Sequence, residues 1–285
     1  MDVGERERVA QMTDPEVVKA RHALLDALDA LGSHKEAVIL VGAQAIYLHT
    51  GSAEVALAEF TTDADLAIDP ELLTDHPLIE AAMTTAGFSP DPDPSALGTW
   101  RSRDGVPVDL LVPDAVAGAG RRSAELPPHG KQAMRRAVGL EAVLKDNAPM
   151  LISALDPADA RSFTIRVAGP AALLVAKTHK VAERINSPKR WDAKDAHDIY
   201  RLLRAIDTHV LVASLKVLAS DPIAASVTKA AIDSLRDLFA AGDDAPGSRF
   251  AGQAEEFIGD PAQVALAVSI LAQDLITSLD AGSAE

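Results

Sequence analysis

What the sequence lacks already excludes several classes of protein. It contains no cysteine, which excludes structural disulfides, cysteine-ligated zinc and thiol catalysis. Positive charge is also scarce, because 27 Lys and Arg face 42 Asp and Glu and leave a formal net charge of −15. This balance argues against a non-specific nucleic-acid binder, which obtains most of its affinity by neutralising phosphates.

Long apolar runs are missing as well. No segment approaches the ~20 uninterrupted apolar residues that a transmembrane helix needs. The first residues, Met1 to Arg8, lack the apolar centre of a signal peptide. We therefore expect a soluble, cytoplasmic protein.

The chain is long and apolar enough to bury a full hydrophobic core. Its 285 residues are 48% hydrophobic, which suits one compact domain with a helical extension. Alternating patterns predict an α+β core over 1–168, in which helices pack on a small mixed sheet. The predicted helices of this core are 14–31, 43–50 and 71–86, and the predicted strands are 37–41, 61–68, 98–103 and 106–112, with further short strands within 138–167.

The remainder, 169–285, is predicted to be a helical lobe. Helical spacing of apolar residues starts at Pro170, and proline is favoured at the first position of a helix. Residues 242–249 are predicted to be a loop, because Gly, Asp and Pro favour turns. The further predicted helices of the lobe are 195–206, 208–219, 222–240 and 261–279.

Two aspartates one residue apart are the most informative feature of the sequence. Side chains alternate along an extended segment from Thr62 to Ile68, so Asp63 and Asp65 face one way and the opposite face is apolar. Neighbouring carboxylates repel, but a divalent cation reverses the sign of that interaction. Such ligands suit Mg²⁺ or Mn²⁺, and Mg²⁺ commonly takes one or two carboxylates plus substrate phosphates. Taken alone, an acidic pair is more often solvent-facing or capping charge.

Two flanking features favour the metal-binding interpretation. Upstream, a short apolar strand ends at Gly42 and a helix follows, so free N–H groups at the helix start can receive phosphate oxygens. Downstream, alternation from Val106 to Val112 places Asp109 on a second strand with an apolar opposite face. Asp109 is thus a candidate third acid for a two-metal site. For a single glycine, an ordinary connection between strand and helix is the alternative.

A basic stripe lies on the first predicted helix of the lobe. Lys177, Lys180 and Arg184 recur on one side of this helix at steps of three and four residues. They could neutralise phosphates and the charge on a leaving pyrophosphate, or they could form a solvated face. Asp195 and Asp198, one turn apart on the next helix, could orient Lys177, lie near the metal, or be cap and surface charges.

Four motifs follow one another in a recognisable order. They are Gly42-Ala-Gln-Ala-Ile-Tyr-Leu-His49, then Thr61-Thr-Asp-Ala-Asp-Leu66, then Lys177 with Arg184, and finally Lys194-Asp-Ala-His-Asp-Ile-Tyr200. Together they resemble the nucleotidyltransferase superfamily with the polymerase-beta-like core, and more closely its AbiEii/MenT branch of toxins. The resemblance spans roughly residues 37 to 205. The second small residue of the glycine motif is usually Gly or Ser, whereas here it is Ala43, which keeps the backbone amide but has no hydroxyl donor.

The resemblance implies a polymerase-beta-like core and an enzyme of the EC 2.7.7 type that depends on Mg²⁺ or Mn²⁺. Asp63 and Asp65 would bind the metal. Asp109 would be a third metal ligand or the base that receives the proton of the attacking hydroxyl.

The resemblance also implies roles for the helical lobe. Lys177 would bind the nucleotide phosphates, and Asp195 or Asp198 would complete the site. The nucleotide-binding residues would come from the glycine motif, the acidic strand and the basic helix, and are Gly42, Ala43, Thr62, Lys177, Lys180 and Arg184.

The AbiEii/MenT branch implies a biological role as well. It suggests the toxin of a toxin-antitoxin system, which transfers NMP from an NTP to the 3′ acceptor end of tRNA and so blocks translation. A cognate antitoxin protein would then be a partner. Transfer to a protein hydroxyl or to a small molecule such as an antibiotic stays open, and Ala43 with the acidic surface also fits a degenerate, antitoxin-like or regulatory module.

Basic and histidine side chains allow further expectations. Seven cations near the third acid could receive a tRNA acceptor end or could be scattered surface charges. His49 is expected to be structural, and His179 and His197 lack the His-Glu-x-x-His spacing of a metal site. The seven cations are Arg101, Arg103, Arg121, Arg122, Lys131, Arg135 and Arg136.

Overall fold

The computed structural model describes residues 14–51, 62–185, 193–257 and 259–281. The chain divides into two compact units. The first unit comprises residues 1–44, 60–137 and 148–167, as far as they are described. The second comprises 45–59, 138–147 and 168–285, within the same limit. The sequence predicted one boundary, after residue 168, whereas this division starts the last segment of the second unit at Ala168 and assigns two earlier segments to that unit.

A mixed sheet organises the first unit. Its strands are β1 (Val38–Val41), β2 (Ala64–Ile68), β3 (Ser89–Pro90), β4 (Thr99–Arg101), β5 (Pro107–Pro113), β6 (Arg135–Ala137), β7 (Asn147–Ser153) and β8 (Ser162–Ala168). Their order across the sheet is β3-β4-β5-β2-β1-β8-β7, and β6 pairs with β5. β1 runs antiparallel to β2, whereas β5 and β8 run parallel to their neighbours β2 and β1. The predicted small mixed sheet is confirmed.

The central strands explain why the sheet forms. All four residues of β1 are buried, and β2 is buried at every position except Asp65. Such continuous apolar runs suit strands that are covered on both faces. Helix α1 (Pro15–Ala30) packs on β2 and β5. Asp14 caps this helix, since its carboxylate accepts a hydrogen bond from the Glu16 amide, and proline at the first position favours the start.

One predicted helix of the first unit is much shorter than expected. Residues 71–86 were predicted to be helical, but helix α3 begins only at Ile79 and ends at Thr85. Pro77 explains the difference, because it lacks an N–H donor and disfavours helical backbone at the preceding residue. Helix α2 (Gly42–Thr50) follows β1 directly, as the sequence predicted.

The second unit is built mainly from helices. Within the described residues from 170 onward these are α4 (Pro170–Ile185), α5 (Ala193–Ala205), α6 (Thr208–Leu218), α7 (Ala225–Leu235), α8 (Pro246–Gln253) and α9 (Pro261–Ala281). A helical C-terminal portion is therefore confirmed. A π-helical segment, Arg236–Ala240, continues α7. The loop predicted for 242–249 is wrong in its second half, because Pro246 starts α8 where a proline favours a first helical turn.

Helix α9 is the most apolar element of the second unit. By length and composition alone it could cross a membrane, with a mean hydropathy of 1.5. However, Val268, Ala272 and Leu275 are buried, and the helix packs against α6 and α8. These are the properties of a core helix, so a membrane protein is not indicated.

Candidate functional site

The acidic strand is shorter than the sequence predicted. Strand β2 begins at Ala64, and Asp63 lies in a bend immediately before it. Strict alternation over Thr62 to Ile68 therefore does not describe Asp63. Both Asp63 and Asp65 are half-buried, so their carboxylates are neither fully solvated nor sealed in the core.

Gly42 lies directly against Asp65. The register of β1 and β2 pairs Val41 with Asp65, which brings the next residue, Gly42, beside the same carboxylate. Gly42 has a positive φ of 70°, and a Cβ atom there would lie 2.1 Å from Oδ2 of Asp65. Only glycine satisfies both the left-handed backbone and the close approach. The predicted glycine turn between strand and helix thus positions the start of α2 next to the acidic strand.

Asp109 lies next to Asp65 on the neighbouring strand. The parallel register of β2 and β5 pairs these two aspartates directly. The Asp109 carboxylate already has two partners, because Oδ1 accepts a hydrogen bond from Oγ1 of Thr99 at 2.6 Å. Its Oδ2 lies 2.7 Å from a guanidinium nitrogen of Arg135. The third candidate acid is therefore in register with the acidic pair, but it is engaged by a hydroxyl and a cation.

Sequence reasoning missed the roles of Thr99 and Arg135. Thr99 pairs with Asp109 across β4 and β5, and Arg135 pairs with Leu111 across β5 and β6. Arg135 is one of the seven cations expected near the third acid, but no local pattern in the sequence indicated that β6 exists or that it pairs with β5. Only the pairing of strands distant in sequence brings these side chains to Asp109.

The carboxylates of the candidate site can be compared with the ligands that Mg²⁺ or Mn²⁺ requires. Across the described parts of the chain, no group of three His, Asp or Glu side chains forms a complete metal site. Two carboxylates, Asp63 and Asp65, suffice for Mg²⁺, which commonly completes its coordination with water and substrate phosphates. The acidic pair therefore fits such an ion, and Asp109 would join only by exchanging its present partners.

A buried ionic cluster occupies the second unit. Nζ of Lys177 lies 2.7 Å from Oδ1 of Asp195 and 2.7 Å from Oδ2 of Asp198. Arg184 also pairs with Asp195, and Nζ of Lys180 lies 3.6 Å from it. Helices α4 and α5 pack together, which brings the basic stripe of one against the aspartates of the other. Asp195 and Asp198 therefore both form ion pairs with Lys177.

Charge compensation in this cluster shifts two pKa values. Burial alone would raise the pKa of Asp195, but Lys177, Lys180 and Arg184 outweigh burial and hold that pKa at about 2. Burial would lower the pKa of Lys177, but Asp198 and Asp195 outweigh it and hold that pKa well above its ordinary value. Lys177 and Asp195 are therefore both charged at neutral pH.

The remaining predicted nucleotide-binding residues differ in their exposure to solvent. Ala43 is buried and Thr62 is exposed. Lys180 is partly exposed and Arg184 less so. Thr61, which the resemblance includes, lies outside the described residues.

The seven basic residues near Asp109 are largely balanced by acids. Arg101 pairs with Asp91, Lys131 with Glu125, Arg135 with Asp109, and Arg136 with Asp114. A guanidinium nitrogen of Arg122 donates to the carbonyl oxygen of Ser95. These pairs reduce the net positive charge that this surface offers to a nucleic acid.

Three histidines, His49, His179 and His197, have hydrogen-bond or ion-pair partners within the second unit. Nε2 of His49 donates to the carbonyl oxygen of Ala168 at 2.8 Å, and Nε2 of His179 donates to that of Val227 at 2.8 Å. Nε2 of His197 lies 2.9 Å from Oε1 of Glu255, and both side chains are buried. These contacts are structural ties between segments.

Comparison with known proteins identifies the family. A family model described as Nucleotidyltransferase matches residues 19–221, which is more than half of the chain. The crystal structure of a candidate nucleotidyltransferase from H. pylori aligns over 94% of this chain and 98% of that chain, at 11% identity and a TM-score of 0.36. A TM-score this low does not establish a common fold, and no curated protein matches the sequence. On the family match, the chain belongs to the nucleotidyltransferase family and is a transferase of the EC 2.7.7 type.

Proposed function

We propose that the protein transfers NMP from an NTP to the 3′ hydroxyl of tRNA, in a Mg²⁺-dependent reaction in the cytoplasm. The observation that carries the metal-dependent reaction is the contact between Asp65 and Gly42 at the start of α2. Metal-binding acids and a phosphate-binding helix start then lie side by side. The role as a toxin with a cognate antitoxin rests on the resemblance of the sequence motifs.

The start of α2 suits a triphosphate for two reasons. The first N–H groups of a helix have no partner within the helix, and the helix dipole favours negative charge at that end. Gly42 has no side chain, so the Asp65 carboxylate lies directly against the backbone at the start of this helix, and a phosphate received by the helix start would lie next to that acid. Ala43 supplies an amide there, and Thr62 adds a hydroxyl on the acidic side.

The proposed reaction balances as a substitution at the α-phosphorus. The attacking hydroxyl oxygen forms a bond to the α-phosphorus, the bond to the bridging oxygen breaks, and pyrophosphate leaves. Asp63 and Asp65 would hold Mg²⁺, which when bound neutralises phosphate charge and favours ionisation of the attacking hydroxyl. Asp109 would act as a third ligand or would accept the hydroxyl proton after releasing Arg135.

The second unit has its own proposed role. Lys177 is buried between Asp195 and Asp198, so it would bind nucleotide phosphates by exchanging Asp198 for them, and the more exposed Lys180 and Arg184 would support it. Asp195 and Asp198 hold the Lys177 ammonium by direct ion pairs, which supports the proposal that they orient it. Which of the two acids is essential is a matter for single substitutions of each.

Labelled substrates test the proposed activity and its acceptor. The protein is incubated with each α-³²P-labelled NTP, Mg²⁺ and total tRNA, and the products are separated before and after RNase or protease treatment. We expect RNase-sensitive label at the tRNA 3′ end. Asp65→Asn should reduce transfer at least about a hundredfold, because metal binding supplies several kcal/mol of transition-state stabilisation.

A matched control separates loss of a ligand from loss of charge. Asp75 is exposed in the same unit, and Asp75→Asn makes the same chemical change without touching the acidic strand, so its activity should equal that of wild type. Label in protein or in a small molecule would favour another acceptor. Absence of transfer from all four NTPs to any acceptor would sink the enzymatic proposal and favour a regulatory module.

A further inference from the structure

The side chain of Gln44, in the first turn of α2, makes three hydrogen bonds, of which two are buried and one is partly buried. Its Nε2 donates to the backbone carbonyl of Asp63 at 3.0 Å and to that of Ala20 at 3.3 Å. Its Oε1 accepts a hydrogen bond from Nε of Arg21 at 2.9 Å. Gln44 is only 4% exposed, so its bonds to Arg21 and Ala20 are shielded from water, and its bond to Asp63 is partly shielded.

Arg21 fixes the other end of this arrangement. It is buried on α1, and a second guanidinium nitrogen donates to the carbonyl oxygen of Ser153 in β7 at 2.9 Å. The guanidinium fork is planar and offers its donors in a fixed geometry. The Gln44 amide is therefore held in one orientation, with its oxygen toward Arg21 and its NH₂ group toward Asp63.

The backbone at Asp63 needs such a partner because the strand ladder stops before it. The register of β1 and β2 ends at the pair Val41 and Asp65. Beyond Val41 the chain turns into α2 at Gly42, so β1 offers no further residue to pair with Asp63. At that point the side-chain amide of Gln44 donates to the backbone carbonyl of Asp63 in place of a neighbouring strand.

We propose that Gln44, oriented by Arg21, is a positioning residue that fixes the backbone of Asp63 and thereby the separation of the two metal-binding carboxylates. The inference rests on the proposed function, because it assigns the acidic pair to a metal. Gln44 acts through Asp63 and does not touch the substrate. The first turn of α2 would then position both acids, Asp65 through the bare backbone of Gly42 and Asp63 through the amide of Gln44.

Direct Mn²⁺ binding tests this inference without relying on activity. Dissociation constants are measured by electron paramagnetic resonance on NTP-free protein. Gln44→Met, which keeps the length but removes the hydrogen bonds, should weaken Mn²⁺ binding by about tenfold or more, as loss of an outer partner of a metal ligand typically does. Arg21→Met releases the oxygen of Gln44 and the carbonyl of Ser153 but leaves the bond from Gln44 to Asp63 in place, so it should have a smaller effect in the same direction.

The control variant loosens the opposite end of β2. Arg166 lies 3.0 Å from Asp69 and donates to the carbonyl oxygen of Glu36, and Asp69 directly follows β2. Arg166→Met should lower the melting temperature, as Gln44→Met should, but it should leave the Mn²⁺ dissociation constant within about twofold of wild type, because Asp69 and Glu36, which Arg166 contacts, lie at the opposite end of β2 from both proposed metal ligands. Equal Mn²⁺ affinity of wild type and Gln44→Met would overturn the positioning role.

Amide hydrogen exchange of the metal-free protein provides a second readout. In Gln44→Met, exchange should be faster in a peptide covering 62–68 than in Arg166→Met, because the start of β2 loses its tether. If Gln44→Met does not fold, Mn²⁺ binding and amide hydrogen exchange of Arg21→Met test the proposal instead. If Asp65→Asn binds Mn²⁺ as tightly as wild type, the proposed metal site itself is wrong, which is a different result from an unaffected Gln44 variant.

Discussion

Two ion pairs of the same length stand in very different surroundings. Lys177 and Asp195 approach to 2.7 Å with side chains 8% and 3% exposed, whereas Arg135 and Asp109 approach to 2.7 Å with side chains 36% and 21% exposed. Burial weakens screening by water, so a buried pair responds strongly to the loss of one member. A half-exposed pair contributes little and can exchange partners. Distance alone therefore does not separate a fixed ionic cluster from an adaptable carboxylate.

This difference bears on function. The buried cluster compensates its charges internally, which keeps Lys177 protonated and oriented. The acidic pair and Asp109 lie where solvent reaches them, so a cation can enter at a modest cost in desolvation. The half-exposed pair would then change partners when a metal binds, while the buried pair would not.

Removal of the buried cation should have the largest effect. Lys177→Met leaves Asp195 and Asp198 buried with less compensation, and we expect a loss of about 3–5 kcal/mol in the free energy of unfolding. Urea denaturation measures this loss. Lys180, which is 45% exposed and 3.6 Å from Asp195, supplies the matched control, since Lys180→Met should cost less than about 1 kcal/mol.

A double variant sharpens the same comparison. Adding Asp198→Asn to Lys177→Met removes one of the uncompensated charges, so part of the lost stability should return. Equal losses for Lys177→Met and Lys180→Met would show that burial does not distinguish these cations.

Acid should weaken the buried cluster over a defined range of pH. Because the pKa of Asp195 lies at about 2, below its ordinary value of 3.8, its contribution is fully present above about pH 4 and is lost as the pH falls toward 2. This shift corresponds to about 2 kcal/mol of stability. Unfolding free energies at pH 5 and pH 2 should differ more in wild type than in Asp195→Asn, and identical pH dependence in both would contradict the assigned cause.

The smallest effect is expected at the half-exposed pair. Arg135→Met should change the free energy of unfolding by no more than about 1 kcal/mol. It should nevertheless tighten Mn²⁺ binding, because a cation beside Asp109 is removed and the carboxylate is released. Thr99→Val, which removes one hydrogen bond without a change in charge, should tighten binding less. Weaker Mn²⁺ binding by Arg135→Met would show that Asp109 is no metal ligand and that Arg135 supports the acids.

Local signals predicted most elements because they act within a few residues. Pro170 starts α4 and Asp14 caps α1 as expected. Errors arose where two signals competed. Pro77 limited the helix predicted for 71–86, and Pro246 started a helix inside a segment whose Gly and Asp content favoured a loop. Strands of two or three residues, such as β3 and β6, are too short to show periodicity.

The sequence by itself determined the family, most of the longer elements, and the candidate residues Gly42, Asp63, Asp65, Asp109 and Lys177. Only the tertiary structure decided their partners. In the structure Gly42 lies against Asp65, and Asp109 contacts Thr99 and Arg135. Lys177 lies between two aspartates, and Gln44 donates a hydrogen bond to the backbone carbonyl of Asp63. The physical reason is that strand register and helix packing join residues far apart in the chain, whereas sequence periodicity reports only which face of its own element a residue occupies.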